Sequence, residues 1–211
     1  MDYLKQAKNE IRKEWFSNHE IKLIEGSKGF QRINWGEQGS RMYQIDYVLS
    51  DNMVFVSGDL GTAAYELTCA ATLENIKDFN LSYFTGKLSA HERRRWDFDP
   101  YLAKEEIEEY IFDWCDISHV DQLSEEDNEL YEELIGATQN WDLQDHFEKA
   151  VFSIYENTSV GWFDGEAASC ISDCGKRLPR SLIAYWVGLQ MVIEQLEKKE
   201  GRSVNRGSIK V

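Results

Sequence analysis

Tyr43-Gln44-Ile45-Asp46-Tyr47-Val48-Leu49, followed by Ser50-Asp51-Asn52 and Met53-Val54-Phe55-Val56, is the stretch that decides the fold. Tyr43, Ile45, Tyr47 and Leu49 alternate with Gln44, Asp46 and Val48, the two-residue period of a strand with one buried face. Ser50-Asp51-Asn52 is long enough only for a tight reversal, so Met53–Val56 returns as an antiparallel partner. A parallel pair would need a far longer crossover. Working outward, Gly58-Asp59-Leu60-Gly61 reads as a second turn, ahead of a strand over Ala63–Cys69. Upstream, Phe30, Ile33 and Trp35 form a strand that runs into the turn-like Gly36–Ser40, and Glu25–Gly29 reads as a loop. The expectation is a small antiparallel meander over about residues 30–69.

On either side the apolar period lengthens to that of a helix. Leu4, Ala7, Ile11 and Trp15 predict a helix over 2–16. Thr72 caps a short helix at Leu73–Phe79, and Leu81, Tyr83, Phe84 and Leu88 mark another. Asp99 before Pro100 starts a helix whose apolar stripe is Ile107, Tyr110, Ile111 and Trp114. Ser124 opens the next, with Leu130, Leu134 and Ile135 on its buried edge. A further helix runs from about Leu143 to Tyr155, and Gly161–Gly165 is a loop. Pro179 begins a last helix that is apolar nearly all round from Leu182 to Leu196, and is therefore central. The fold class is α+β, a meander packed with a mainly helical C-terminal two-thirds. With two prolines and no Ser/Gly-rich run, the chain reads as one compact domain over 1–198 with a frayed polar tail over 199–211.

Charge is confined to one block. Residues 96–148 hold 18 acids and a single base, Lys104, whereas residues 1–95 carry 13 of each sign and 149–211 carry 9 bases and 7 acids. That block accounts for the formal net charge of −15. It has three readings: a solvated helical face, a ligand for a basic surface, or a divalent-cation site, although no D-x-[DN]-x-[DN]-G loop is present. Like charges crowd at helical spacing, Glu105 with Glu108 and Glu109, Glu109 with Asp113, Glu129 with Glu132 and Glu133. Each like pair costs a helix roughly 0.2–0.5 kcal/mol, and alternating signs would give the same solubility without it. The candidate partner-binding residues are therefore Glu105, Glu108, Glu109, Asp113, Asp116, Glu125, Glu126, Glu129, Glu132 and Glu133, with Trp114, Tyr110 or Tyr131 as apolar anchors. Direct nucleic-acid binding is disfavoured, because only Arg93-Arg94-Arg95 and the Lys176–Arg180 run offer a basic patch.

No motif assigns a reaction. Ser57-Gly58-Asp59-Leu60-Gly61 lacks the Walker lysine and the G-x-G-x-x-G pattern, and reads as a turn. Cys170 and Cys174 would share a helix face beside Asp173, but no second pair completes a zinc site, so the four cysteines read as reduced structural thiols. His119 with Asp116 and Asp121, and His146 with Asp142 and Asp145, read as solvated surface pairs. The abundance of carboxylates selects no acid–base couple, and there is no nucleophile elbow. The protein is expected to be no enzyme and to carry no metal or cofactor. No apolar leader or membrane-length apolar run occurs, so a cytoplasmic, membrane-free protein is expected.

Asn34-Trp35-Gly36, the Tyr43–Tyr47 strand, Val56–Tyr65, Leu81–Lys87, Val187–Met191 and Glu194-Gln195-Leu196 together resemble a family of acidic proteins encoded by phages and prophages. The resemblance spans about Trp35 to Leu196 and brings no catalytic residue. It implies a phage setting and the cytoplasm of a host cell. By charge and setting alone the chain also resembles anti-CRISPR-type inhibitors, acidic phage proteins that occupy a nuclease's nucleic-acid groove. The leading expectation is thus a non-enzymatic accessory protein that inhibits a host nucleic-acid-binding protein or defence nuclease through a nucleic-acid-mimicking acidic face. Two alternatives stand beside it. One is a small-molecule pocket or enzyme site between sheet and helices, lined by Trp35, Tyr47, Phe55 and Tyr65. The other is an oligomeric phage assembly or regulatory protein.

Overall fold

The computed structural model describes residues 3–27 and 29–207. Asp2 at the start of the expected first helix, Lys28 in the expected loop and residues 208–211 of the expected tail lie outside the described residues, as does Met1. The chain forms two compact units, Met1–Arg94 with Pro179–Val211, and Arg95–Leu178. In chain order the helices are α1 (Tyr3–Glu10), which runs on as a π-helical turn at Ile11–Trp15, α2 (Leu73–Ile76), α3 (Leu81–Gly86), α4 (Pro100–Cys115), α5 (Glu125–Asn140), α6 (Gln144–Asn157), α7 (Gly165–Ser172) and α8 (Arg180–Gly207). Among the described residues, no helix is long and apolar enough to cross a membrane.

The first unit is built on a six-stranded antiparallel sheet whose strands follow chain order: β1 (Glu20–Ser27), β2 (Phe30–Gly36), β3 (Ile45–Ser50), β4 (Met53–Gly58), β5 (Ala63–Glu66) and β6 (Leu88–His91). The α+β class holds, and Tyr47 pairs with Val56 and Leu49 with Val54 as the alternation requires. The sheet is wider than the expected meander at both edges. The Glu25–Gly29 segment is the end of β1 and its hairpin, not a free loop. A register shift between Ile21 and Leu23 and exposure of residues 23–27 erase the alternation that would have revealed β1. At the other edge β6 is only four residues long, too short to show a period. Thr72 Oγ1 accepts from the Asn75 N–H at 3.3 Å and caps α2, which is shorter than the segment Leu73–Phe79.

α8 lies on the inner face of this sheet. Leu182, Ile183, Ala184, Tyr185, Val187, Leu189 and Val192 are all fully buried, which makes α8 the centre of the unit. Its backbone comes down on the sheet at Gly188, where a Cβ would stand 2.3 Å from Tyr47 Oη and 3.5 Å from both Ile45 Cδ1 and Trp35 Cδ1. Tyr47 Oη donates to the Tyr185 carbonyl at 2.9 Å and Tyr185 Oη to the Leu60 carbonyl at 2.8 Å. Burial raises the Tyr47 hydroxyl well above its usual range, so it stays protonated and able to donate. This packing corrects the expected pocket. Trp35, Tyr47 and Tyr65 are filled in beneath α8, while Phe55 lies exposed on the opposite face of β4.

His19 sits at the edge of the same core, against Phe16 and Trp35. Its Nε2 donates to the Tyr43 carbonyl at 3.2 Å, which leaves Nδ1 buried as a bare acceptor with no partner. Protonation would place an N–H where nothing receives it. Burial accordingly lowers the His19 pKa below 6.5, the Tyr43 bond only partly opposing it. The folded state therefore binds fewer protons than the unfolded one between the two pKa values, and stability falls as pH drops below 6.5. Denaturant midpoints measured from neutral to mildly acidic pH should decline in the wild type, and less steeply in His19→Gln.

The second unit gathers α4, α5, α6 and α7 round Ile107, Ile111, Leu134, Phe147, Val151, Ala168 and Ile171. A two-stranded ribbon, β7 (Asp97–Phe98) against β8 (Lys176–Arg177), closes its ends. The small residues of α7 draw no apolar stripe, and the helix ends at Ser172, so Cys170 and Cys174 do not share its face as expected: Cys170 is exposed and Cys174 is buried beyond the helix end. Asp164 starts α7 all the same, accepting from the N–H groups of Glu166 at 2.9 Å and Ala167 at 3.0 Å.

Candidate protein-binding face

α4 begins where Asp99 Oδ1 accepts from the N–H groups of Tyr101 and Leu102 at 2.9 and 3.0 Å, with Pro100 in the first turn. Ala103, Ile107 and Ile111, one turn apart, are fully buried. The opposite ridge, Tyr101, Glu105, Glu109 and Asp113, steps by four residues and is exposed throughout. Asp116 ends the helix in the left-handed conformation, φ 53°, which its short polar side chain tolerates. α5 begins at Ser124, whose Oγ accepts from the Asp127 N–H at 3.1 Å. Leu130, Leu134 and Thr138 face inward, while Glu125, Glu129 and Glu133 step along the outside with Glu132 beside them.

Nine of the ten expected carboxylates are exposed: Glu105, Glu109, Asp113, Asp116, Glu125, Glu126, Glu129, Glu132 and Glu133. None of the nine makes an ion pair with a described residue. Glu108 is the exception. It is half-buried, its Oε1 accepts from the Tyr131 hydroxyl at 2.7 Å, and Lys104 Nζ lies 3.7 Å from the same oxygen. Burial first, and then the bond to Glu108, holds the Tyr131 hydroxyl well above its usual range. Glu108 thus locks α4 to α5 and leaves the candidate binding set. Tyr131, 6% exposed, leaves the set of anchors with it. Glu108→Ala should cost the unit about 1–3 kcal/mol by stranding that hydroxyl, whereas Glu105→Ala should stay within about 0.5 kcal/mol; chemical denaturation compares them.

Other acids of the block also have structural duties that spacing alone did not show. Glu106 Oε2 accepts from the Gly175 N–H at 2.7 Å, and Asp127 Oδ1 from Trp162 Nε1 at 2.7 Å. Asp99 pairs with Arg177 in addition to capping α4. Glu125 and Glu126 stand in the first turn of α5, where the helix dipole favours an acid. With Asp116 set aside as the left-handed end of α4, six carboxylates remain with no local reason for their sign: Glu105, Glu109 and Asp113 on α4, and Glu129, Glu132 and Glu133 on α5. Of the other expected anchors, Trp114 is 58% exposed beside Trp162, at 6.0 Å between ring centroids, and Tyr110 is half-buried.

His119 Nδ1 accepts from the Asp121 N–H at 3.4 Å and caps the 3-10 turn at Val120–Gln122, and the His146 ring meets Trp141 edge-on at 5.3 Å. Burial pushes the Cys174 thiol up to about 12, so it is a protonated donor to the Cys170 carbonyl at 3.7 Å rather than a thiolate. Among the described residues no three His, Cys, Asp or Glu side chains converge as metal ligands. Gly58 and Gly61 adopt φ of 144° and 106°, the backbone of a turn, with Glu92 lying against Gly61. Compared with known proteins, the chain matches no family model, no curated protein and no solved structure.

Proposed function

We propose that this protein is a non-enzymatic inhibitor that occupies the basic groove of a nucleic-acid-handling protein with the carboxylates of α4 and α5. The observation that carries the reading is the set of exposed acids that make no ion pair with a described residue, six of which have a sign the fold does not need. Between Glu125 and Glu133, α5 sets five exposed carboxylates along about 12 Å of axis, roughly one every 3 Å. A strand of B-form DNA presents a phosphate about every 3.4 Å. The α4 ridge is sparser, with one carboxylate about every 6 Å. A rigid helix holds these charges without the ordering cost of a flexible acidic tail, which favours docking over mere solubility. The resemblance to phage-encoded acidic proteins supplies the setting: the partner is a host defence nuclease or another host nucleic-acid-binding protein.

The test is capture from host lysate on the immobilised full chain, at low and at high salt, with added double-stranded DNA as competitor. Basic nucleic-acid-binding proteins should be retained at low salt, released by salt and displaced by DNA. Retention that is indifferent to both would sink the proposal.

A further inference from the structure

Resting on the reading just given, we propose that the cleft between Tyr101 and Trp141 receives an arginine side chain of the basic partner. The α4 ridge of Glu109 and Glu105 leads, one turn further, to Tyr101, which is 82% exposed and lines a cleft of about 810 Å³. Phe98, Trp141, Gln139, Asp142 and Lys104 line it too. Trp141, 42% exposed, also walls the neighbouring groove between α5 and α6, so it stands as a rib between two depressions.

Three independent features select the occupant. The first is the C-terminal end of α5, which opens here. Its last turn has no basic residue, and among the described residues no backbone N–H caps it. Its terminal carbonyls are therefore acceptors at the negative end of a helix dipole. They call for a cationic donor and repel an anion, and a nucleotide or a phosphopeptide is thereby disfavoured. The second is the pair of exposed aromatic rings, which attract a cation, a guanidinium above all because it is planar and weakly hydrated. The third is the added acceptor set of the Gln139 amide and the Asp142 carboxylate, which suits the five N–H donors of arginine better than the compact ammonium of lysine. An apolar side chain would bury these acceptors unpaired. Lys104, the one base on the wall, is drawn to Glu108 at 3.7 Å, and its charge is thereby partly compensated.

Isothermal titration of the full chain with nona-arginine and with nona-lysine tests this. Nona-arginine should bind about tenfold tighter, the gain of stacking on two rings. Tyr101→Ala combined with Trp141→Ala should bring that ratio close to one while nona-lysine binding persists. Tyr101→Ala alone, at a position with no packing role, should lower the ratio and guards against misfolding of the double variant. Equal, salt-sensitive affinities for the two peptides, or an unchanged ratio in the double variant, would overturn the arginine site and leave the acidic-face reading standing. Failure of both peptides to bind would overturn both.

Discussion

Reversal of Glu105, Glu109, Asp113, Glu129, Glu132 and Glu133 to lysine is expected to abolish capture of the basic partner while the second unit stays folded. Each exposed pair with a basic partner is worth about 0.2–1 kcal/mol, and reversal replaces that attraction by a comparable repulsion. Six reversals together remove at least about 2.4 kcal/mol, a loss on the order of fifty-fold or more in affinity. The fold should tolerate the change, because these exposed side chains make no ion pair with a described residue and lysine is as good a helix former as glutamate. Glu108 must be left in place, since reversing it would put an ammonium against the Tyr131 hydroxyl and Lys104. Glu125 and Glu126 are left as well, because the first turn of α5 favours their sign. Capture by the variant, scored beside far-ultraviolet circular dichroism and a thermal melt, decides the matter. Retention at wild-type levels by a folded variant would sink the acidic-face proposal.

Gly188→Val is expected to destabilise the first unit by about 4 kcal/mol or more, the range reserved for overpacking of a core combined with a lost buried hydrogen bond. Helix propensity alone argues the opposite, since glycine within a helix costs about 1 kcal/mol relative to alanine. Contact geometry wins here. A Cβ at Gly188 would meet Tyr47 Oη at 2.3 Å, and that hydroxyl is held by the Tyr185 carbonyl, so neither side can give way cheaply. Gly188→Ala should therefore destabilise as well, by about 1–3 kcal/mol, in spite of its better propensity. Tyr47→Phe removes the obstructing oxygen, and the double variant Tyr47→Phe with Gly188→Ala should be more stable than the sum of the single effects by about 1 kcal/mol or more. Urea denaturation of the four proteins closes this cycle. Strict additivity would mean that α8 does not rest on Tyr47 as described.

The charge block shows how far spacing can be trusted. Nine of its ten selected carboxylates lie in the open, because a helix that buries Ile107 and Ile111, or Leu130 and Leu134, must expose the residues between them. Glu108 failed for a reason outside its own helix: Tyr131 on α5 needs an acceptor, and Glu108 is the residue within reach. Glu106 and Asp127 were likewise claimed by Gly175 and Trp162, 69 and 35 positions away in the chain. Neither Trp141 nor Tyr101 lies on an apolar stripe that spacing could reveal, and it is the meeting of the end of α5 with the start of α4 that makes a cleft of them.

Sequence alone determined what depends on near neighbours: the hairpin of β3 and β4, the starts of α2, α4 and α5 at Thr72, Asp99 and Ser124, the all-round burial of α8, and the placement of the acidic residues on helices. Alternation, capping and helical period are local, and a few residues suffice to express them. Tertiary structure alone decided which edges the sheet would gain, that α8 would fill the space where a pocket was expected, and which carboxylates would be consumed in holding the fold together. Those outcomes rest on partners distant in the chain, and only packing reveals whether a buried hydroxyl or N–H must borrow an acid that spacing had offered to a ligand.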